Sequence, residues 1–235
     1  MNPIKRNIPN SITCINILAG CMAIIAGSRG TTPMWGMMAY QWAFIFIAIG
    51  AVADFLDGFA ARALHAYSEL GKELDSLCDL VTFGVAPAVI ILNLILEHGI
   101  DPWVAWTALL IPVAGAIRLA RFNLDTRQAT TFIGLPIPAN AIFWIGFSAL
   151  FAQNGVSFIS AWYWFLPILL IECWLMNSGF KMFSLKFKSL SLKENFPRLL
   201  LVIATAVCCF TFGVAGLLWL IVFYVLLSLC MQDKA

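Results

Sequence analysis

Eight apolar stretches, each near the roughly 20 residues that cross a bilayer as a helix, run near 11–27, 39–64, 74–96, 102–123, 137–153, 158–177, 198–212 and 214–230. Little else in the chain is as restrictive. With 62% hydrophobic and 11% charged residues over 235 positions, the polar surface is too small to cover a soluble core, for which roughly 45–50% apolar and about 25% charged residues are usual. The expected fold class is all-α, a polytopic membrane helical bundle of about eight transmembrane helices. Little more than Gly213–Gly216 divides the last two stretches, and a single long helix there would make the count seven.

The basic residues orient such a bundle. Cytoplasmic connections collect Lys and Arg, and with the N-terminus inside, Arg29 alone of the 14 falls outside. Lys5, Arg6, Arg62, Lys72, Arg118, Arg121, Arg127, Lys181, Lys186, Lys188, Lys193, Arg198 and Lys234 all fall inside, so both termini are expected to be cytoplasmic. The polar residues Asn10, Thr13 and Asn16 make the first stretch a retained helix rather than a cleaved leader, whose core is usually uniformly apolar. Lys181–Arg198 reads as an interfacial segment near anionic headgroups or as an ordinary basic loop. The seven cysteines show no paired zinc-type spacing, and Cys208 and Cys209 are expected to pack as small apolar residues. Trp35, Trp42, Trp103 and Trp162 sit near span ends, as in an aromatic belt, and His65 and His98 read as interfacial.

Against this background the acidic residues are misplaced. Asp54 and Asp57 end one apolar stretch and Asp75 and Asp79 begin the next. Carboxylates at membrane depth are costly unless paired, hydrated or metal-bound, and mark function. At about 100° per residue, Asp57, Gly58, Ala61 and Arg62 fall within about 80° of Asp54 on one helix face. Asp75 and Asp79 are i, i+4 neighbours, able to reach one point on the next, antiparallel helix. Four converging carboxylates repel; divalent cations would resolve that, and an oxygen-only ligand set suits magnesium, manganese or calcium rather than zinc. Gly58 and Ala61 leave room for a phosphate, and Arg62 offers a fork of donors to its oxygens. Two other readings stand beside this one: helix-bridging ion pairs with Arg62 and Lys72, and a cation pathway.

The segment Asp54-Phe-Leu-Asp57-Gly58-Phe-Ala-Ala61-Arg62, eight residues, Gly71-Lys-Glu-Leu-Asp75-Ser-Leu-Cys-Asp79 resembles the complete signature of the CDP-alcohol phosphotransferase family, D-x2-D-G-x2-A-R-x8-G-x3-D-x3-D. All eight fixed positions match. Ile8-Pro-Asn-Ser-Ile-Thr-Cys-Ile-Asn16, Phe83-Gly-Val-Ala-Pro87, Arg118-Leu-Ala-Arg121-Phe-Asn123 and Gly134-Leu-Pro-Ile-Pro138 are similar to its phosphatidylserine synthase branch. Leu175-Met-Asn-Ser178 and Ser184-Leu-Lys186 are looser matches.

The resemblance implies a catalytic membrane core over 1–190, followed by a C-terminal helix pair over 191–235. It implies two ions of Mg2+ or Mn2+ on Asp54, Asp57 and Asp75, with Asp79 both a ligand to the second and the catalytic base. Gly58, Ala61, Arg62, Ser68 and Gly71 would hold CDP-diacylglycerol. L-serine would be the acceptor, in the cell membrane with the active site at the cytoplasmic face. Homodimers are common in such a family, and no nucleic acid partner is expected.

Serine brings a carboxylate, which an Arg fork pairs at two points, and Arg118 or Arg121 is expected to supply it. Asn10, Thr13 and Asn16, at i, i+3, i+6, form a polar stripe facing protein or water; lining the nucleotide site and bonding between helices are equal readings. Glycerol phosphate or inositol phosphate remain alternative acceptors, and a divalent-cation transporter is the non-enzymatic alternative.

Overall fold

The computed structural model describes residues 3–125, 132–154, 162–182 and 192–230. Arg127, Lys186, Lys188 and Lys234 lie outside the described residues, as do the middle of the Lys181–Arg198 stretch and the Ser184–Lys186 motif. All eight expected stretches contain helix. Among the described residues, five helical runs are long and apolar enough to cross a membrane: Asn7–Gly27, Ala39–Ala63, Glu69–Glu97, Pro102–Leu124 and Arg198–Cys230. Ile137–Gln153 and Trp164–Asn177 are apolar but shorter. The chain divides into two compact units, Met1–Leu119 and Ala120–Ala235.

The first unit starts with α1 (Pro3–Gly27), which runs well ahead of its apolar stretch and carries Pro9 inside it. A short hairpin of β1 (Pro33–Met34) and β2 (Met37–Met38) leads into α2 (Ala39–Ala63). Then come α3 (Glu69–Asp79), a π-helical segment (Leu80–Val85) and α4 (Ala86–Glu97) in one continuous run. The short α5 (Pro102–Thr107) follows, and α6 (Leu110–Leu124) crosses into the second unit.

Helical periodicity explains the packing. The buried face of α2 runs Ala39, Ala43, Ile47, Gly50, Ala53 and Asp57, spaced by three or four residues, with Phe44 and Phe46 buried beside it. The buried face of α1 continues from Thr13 and Asn16 through Ala19, Ala23 and Ala26. Small residues let helix backbones approach closely in apolar surroundings. Accordingly, a Cβ at Gly20 would collide with the Thr82 hydroxyl, and one at Gly27 would stand 2.7 Å from Ile90 Cγ1. The outward faces are apolar instead of polar, with Ile25 64% and Phe55 66% exposed. That inversion is expected where the solvent is lipid.

The turn between α2 and α3 places the site. Ala66 N–H donates to the Ala61 carbonyl at 2.9 Å and His65 N–H to the Arg62 carbonyl at 3.2 Å. This is the Schellman closure of a helix C-terminus, with His65 at φ 50 in a position that glycine normally fills. Ser68 then caps α3, its hydroxyl accepting from Gly71 N–H at 3.0 Å. At the opposite end of these helices, Glu97 closes the loop after α1 by accepting from Thr31 N–H at 2.9 and 3.1 Å.

In the second unit, β3 (Phe132–Ile133) pairs with β4 (Lys181–Met182), flanking α7 (Ile137–Asn154) and α8 (Trp162–Asn177). Gly134, at φ 73, donates its N–H to the Phe180 carbonyl at 2.8 Å, and a Cβ there would crowd the Met176 carbonyl. The chain ends as α9 (Leu192–Phe212), a 3-10 turn (Gly213–Ala215) and α10 (Gly216–Cys230). A Cβ at Gly216 would meet the Cys208 backbone, so the chain doubles back at the turn and does not continue as one straight helix. All seven cysteines are free thiols.

Candidate active site

Three of the four aspartates meet. One carboxylate oxygen from each of Asp54, Asp57 and Asp75 lies within 4.8 Å of the other two. Asp57 ends the buried stripe of α2 and is itself buried, whereas Asp54 and Asp75 are half-buried. Asp57 Oδ2 and Asp75 Oδ1 are buried oxygens with no hydrogen-bond partner. The side chains of Asp54 and Asp75 are in hydrogen-bond contact, which two carboxyl groups can make only with a proton or a cation between them. A buried oxygen without a donor is costly, and three all-oxygen ligands with spare lone pairs fit a hard divalent cation.

Beside the triad is a cavity of about 630 Å³. Asp57 and Asp75 line it, together with Gly58 and Ala61 from α2, Ser68, Gly71 and Lys72 from the first turn of α3, and Asn10 and Thr13 from α1. The Thr13 hydroxyl, bonded to the Pro9 carbonyl at 3.0 Å, also reaches Asp57. A Cβ at Gly71 would stand 3.0 Å from both Asn10 Oδ1 and Ser68 Oγ, so the glycine keeps that wall open. Arg62 is exposed, its guanidinium reaching back toward Gly58. The open end of α3 adds N–H groups suited to an anion.

Asp79 is not part of the 4.8 Å grouping. It is 9% exposed and accepts from Asn16 Nδ2 at 3.2 Å. The polar stripe of α1 therefore splits: Asn10 and Thr13 face the cavity, while Asn16 bonds across to α3. The two arginines also separate. Arg118 is buried near the end of α6, whereas Arg121 is exposed and donates to the Asn177 carbonyl at 3.1 Å. Neither lines the cavity. Sequence reasoning missed Lys72, Pro9 and Tyr67 as cavity walls. Lys72 stood next to the signature glycine and Pro9 lay in the Ile8–Asn16 stretch, which were the available signals, but Tyr67 carried none.

The chain matches the family model for CDP-alcohol phosphatidyltransferase over residues 6–175. It is 42% identical over 171 residues to the CDP-diacylglycerol–serine O-phosphatidyltransferase of Mycobacterium leprae (strain TN), covering 68% of this chain and 56% of that one. The enzyme of the same description from Bacillus subtilis (strain 168) is 39% identical over 135 residues, 56% of this chain and 69% of the relative. That from Mycobacterium bovis (strain ATCC BAA-935 / AF2122/97) is 34% identical over 225 residues, 88% of this chain and 75% of the relative. The matched region contains the aspartate triad, Asp79 and the whole cavity wall, and the chain belongs to the CDP-alcohol phosphatidyltransferase family.

Proposed function

We propose that this membrane protein transfers a phosphatidyl group from CDP-diacylglycerol to L-serine, giving phosphatidylserine and CMP. The observation that carries the reading is the oxygen-only triad with unsatisfied buried oxygens on the wall of a cavity lined by small residues. The names of the relatives supply the acceptor.

In this reading Asp54, Asp57 and Asp75 would hold divalent metal, Mg2+ or Mn2+, and Asp79 would contribute to a second ion. Metal held there would supply positive charge against the pyrophosphate and the departing CMP. Gly58, Ala61 and Gly71 let the nucleotide phosphates approach the backbone, and Arg62 donates to their oxygens. Ser68 accepts from Gly71 but keeps its own proton to donate. Asp79 takes the proton from the serine hydroxyl as that oxygen bonds to the phosphorus bearing diacylglycerol and the bond from that phosphorus to CMP breaks. Most of the rate comes from positioning and charge, as in phosphoryl transfer generally. For the serine carboxylate, burial favours Arg118 over the exposed Arg121.

The distribution of basic residues supports placing this chemistry at the cytoplasmic face of a multi-pass cell-membrane protein, and the family resemblance supports a homodimer. The family match ends at residue 175, which supports reading 191–235 as an addition to the catalytic core. The test is purified protein with CDP-diacylglycerol, Mg2+ or Mn2+ and a panel of serine, glycerol phosphate and inositol phosphate, following CMP release. Serine-dependent release is expected. Release with another acceptor alone would overturn the serine assignment, and metal flux into liposomes without CMP would overturn the transferase.

A further inference from the structure

We propose that Asn16 is a positioning residue for the transfer: its amide holds one oxygen of Asp79 so that the other is presented to the acceptor hydroxyl. The inference rests on the reading that Asp79 takes the acceptor proton.

Asn16 is 0% exposed, and its Nδ2 donates to Asp79 Oδ1 at 3.2 Å. The amide can only be oriented this way, because turning Oδ1 to a carboxylate would set two acceptors against each other. Its backbone is held as well, since the Thr82 hydroxyl donates to the Asn16 carbonyl at 3.0 Å. Thr82 lies in the π-helical segment that begins one residue after Asp79, so both ends of the contact are fixed by the same turn. π-Helical turns inside helices often occur at functional sites.

Gly50 completes the enclosure from α2. A Cβ there would stand 2.6 Å from Thr82 Cγ2 and 2.9 Å from Asn16 Oδ1. The side chain thus sits in a slot that only a glycine leaves open.

A stability role does not account for this arrangement. Asn16 Oδ1 is buried with no partner, and a buried acceptor without a donor destabilises a fold. A leucine would fill the same slot without that cost, which offsets the donor that Asp79 Oδ1 would lose. What leucine cannot do is donate to Asp79. A carboxylate free to rotate loses the alignment between acceptor oxygen and phosphorus that positioning provides.

The test is Asn16→Leu, which keeps the branched shape and removes only the amide, measured beside the native chain with serine, CDP-diacylglycerol and Mn2+. Expected is a fall in kcat of about 100-fold, with the KM for CDP-diacylglycerol within about threefold of native and the melting temperature undiminished. The ratio of phosphatidylserine to phosphatidate should fall too, because water needs less alignment than serine. A lowered melting temperature with normal kcat per folded molecule overturns the proposal, as does a raised KM with normal kcat, which would put Asn16 in the nucleotide wall. Should Asn16→Leu not fold, Thr82→Val decides: a lower kcat at unchanged KM supports positioning, and an unchanged kcat overturns it. If the native chain releases no CMP with serine, the transferase reading itself has failed, a separate result.

Discussion

Replacing Asp75 by Asn separates a metal site from a structural charge cluster. Two ionised carboxylates at the 4.8 Å limit of the triad repel by about 3.5 kcal/mol at an effective dielectric near 20. The substitution removes two of the three pairs in the triad. Water reaching the half-buried Asp54 and Asp75, and the contact they already share, reduce the gain to about 2 kcal/mol in metal-free protein. For a chain of this size that is a rise in melting temperature of about 4–8 °C. Native protein should instead gain its stability from metal: at a hundredfold excess over Kd, binding stabilises it by about 2.7 kcal/mol. Asp75→Asn should therefore melt higher than native in EDTA, gain nothing from Mg2+ or Mn2+, and release no CMP. Thermal unfolding in detergent, with and without metal, reads the first two, and a CMP-release assay with CDP-diacylglycerol and serine reads the third. If Asp75→Asn melts lower in EDTA and keeps its response to metal, the aspartates are structural partners and the metal-site argument is wrong.

Asp79→Asn should fold and bind CDP-diacylglycerol yet lose at least about 100-fold in serine-dependent CMP release; near-normal turnover would remove Asp79 as the base. Ser68→Ala deletes a helix cap and should cost about 1 kcal/mol, seen as a lower melting temperature, with a raised KM for CDP-diacylglycerol. Gly50→Ala should cost about 1–3 kcal/mol by overpacking against Thr82 and Asn16 and should lower kcat in the assay that reads Asn16→Leu. His65→Gly should raise the melting temperature by relieving a left-handed conformation worth about 1 kcal/mol, with no loss of CMP release.

The helices and the aspartates were legible in the sequence because each depends on local periodicity. The buried stripe of α2, from Ala39 to Asp57, can be traced by stepping three or four residues along the chain. Boundaries were less visible where polarity interrupted the apolar run. The sequence placed the third span from 74, but α3 begins at Glu69, because Ser68 caps a first turn carrying Glu69, Lys72 and Glu73.

How Asp79 is held beside the other three aspartates was not legible, for a reason of a different kind. Spacing gives the direction of a side chain around its own helix, not what stands opposite it. Asp79 shares a helix side with Asp75, yet Asn16 of α1 faces it, from 63 residues away in sequence. The same limit applies to Arg118 and Arg121. Their spacing suggested one face, but one is buried and the other bonds to Asn177. The stripe of Asn10, Thr13 and Asn16 was visible as a stripe, but its division between cavity and Asp79 depended on where α3 docks.

That division makes α1 a single mechanical part. From Asn10 to Asn16 is about 9 Å of helix axis, and over that length it forms cavity wall, touches Asp57 and steers Asp79. A helix segment this short moves as a rod, so none of the three contacts can be adjusted alone. Its distal half is pinned where Gly20 and Gly27 press on Thr82 and Ile90, leaving no slack to absorb a shift. Substrate fit, metal geometry and proton acceptance therefore share one degree of freedom, and second-site suppressors of defects in any of them should concentrate along the small-residue seam of α1, well away from the chemistry.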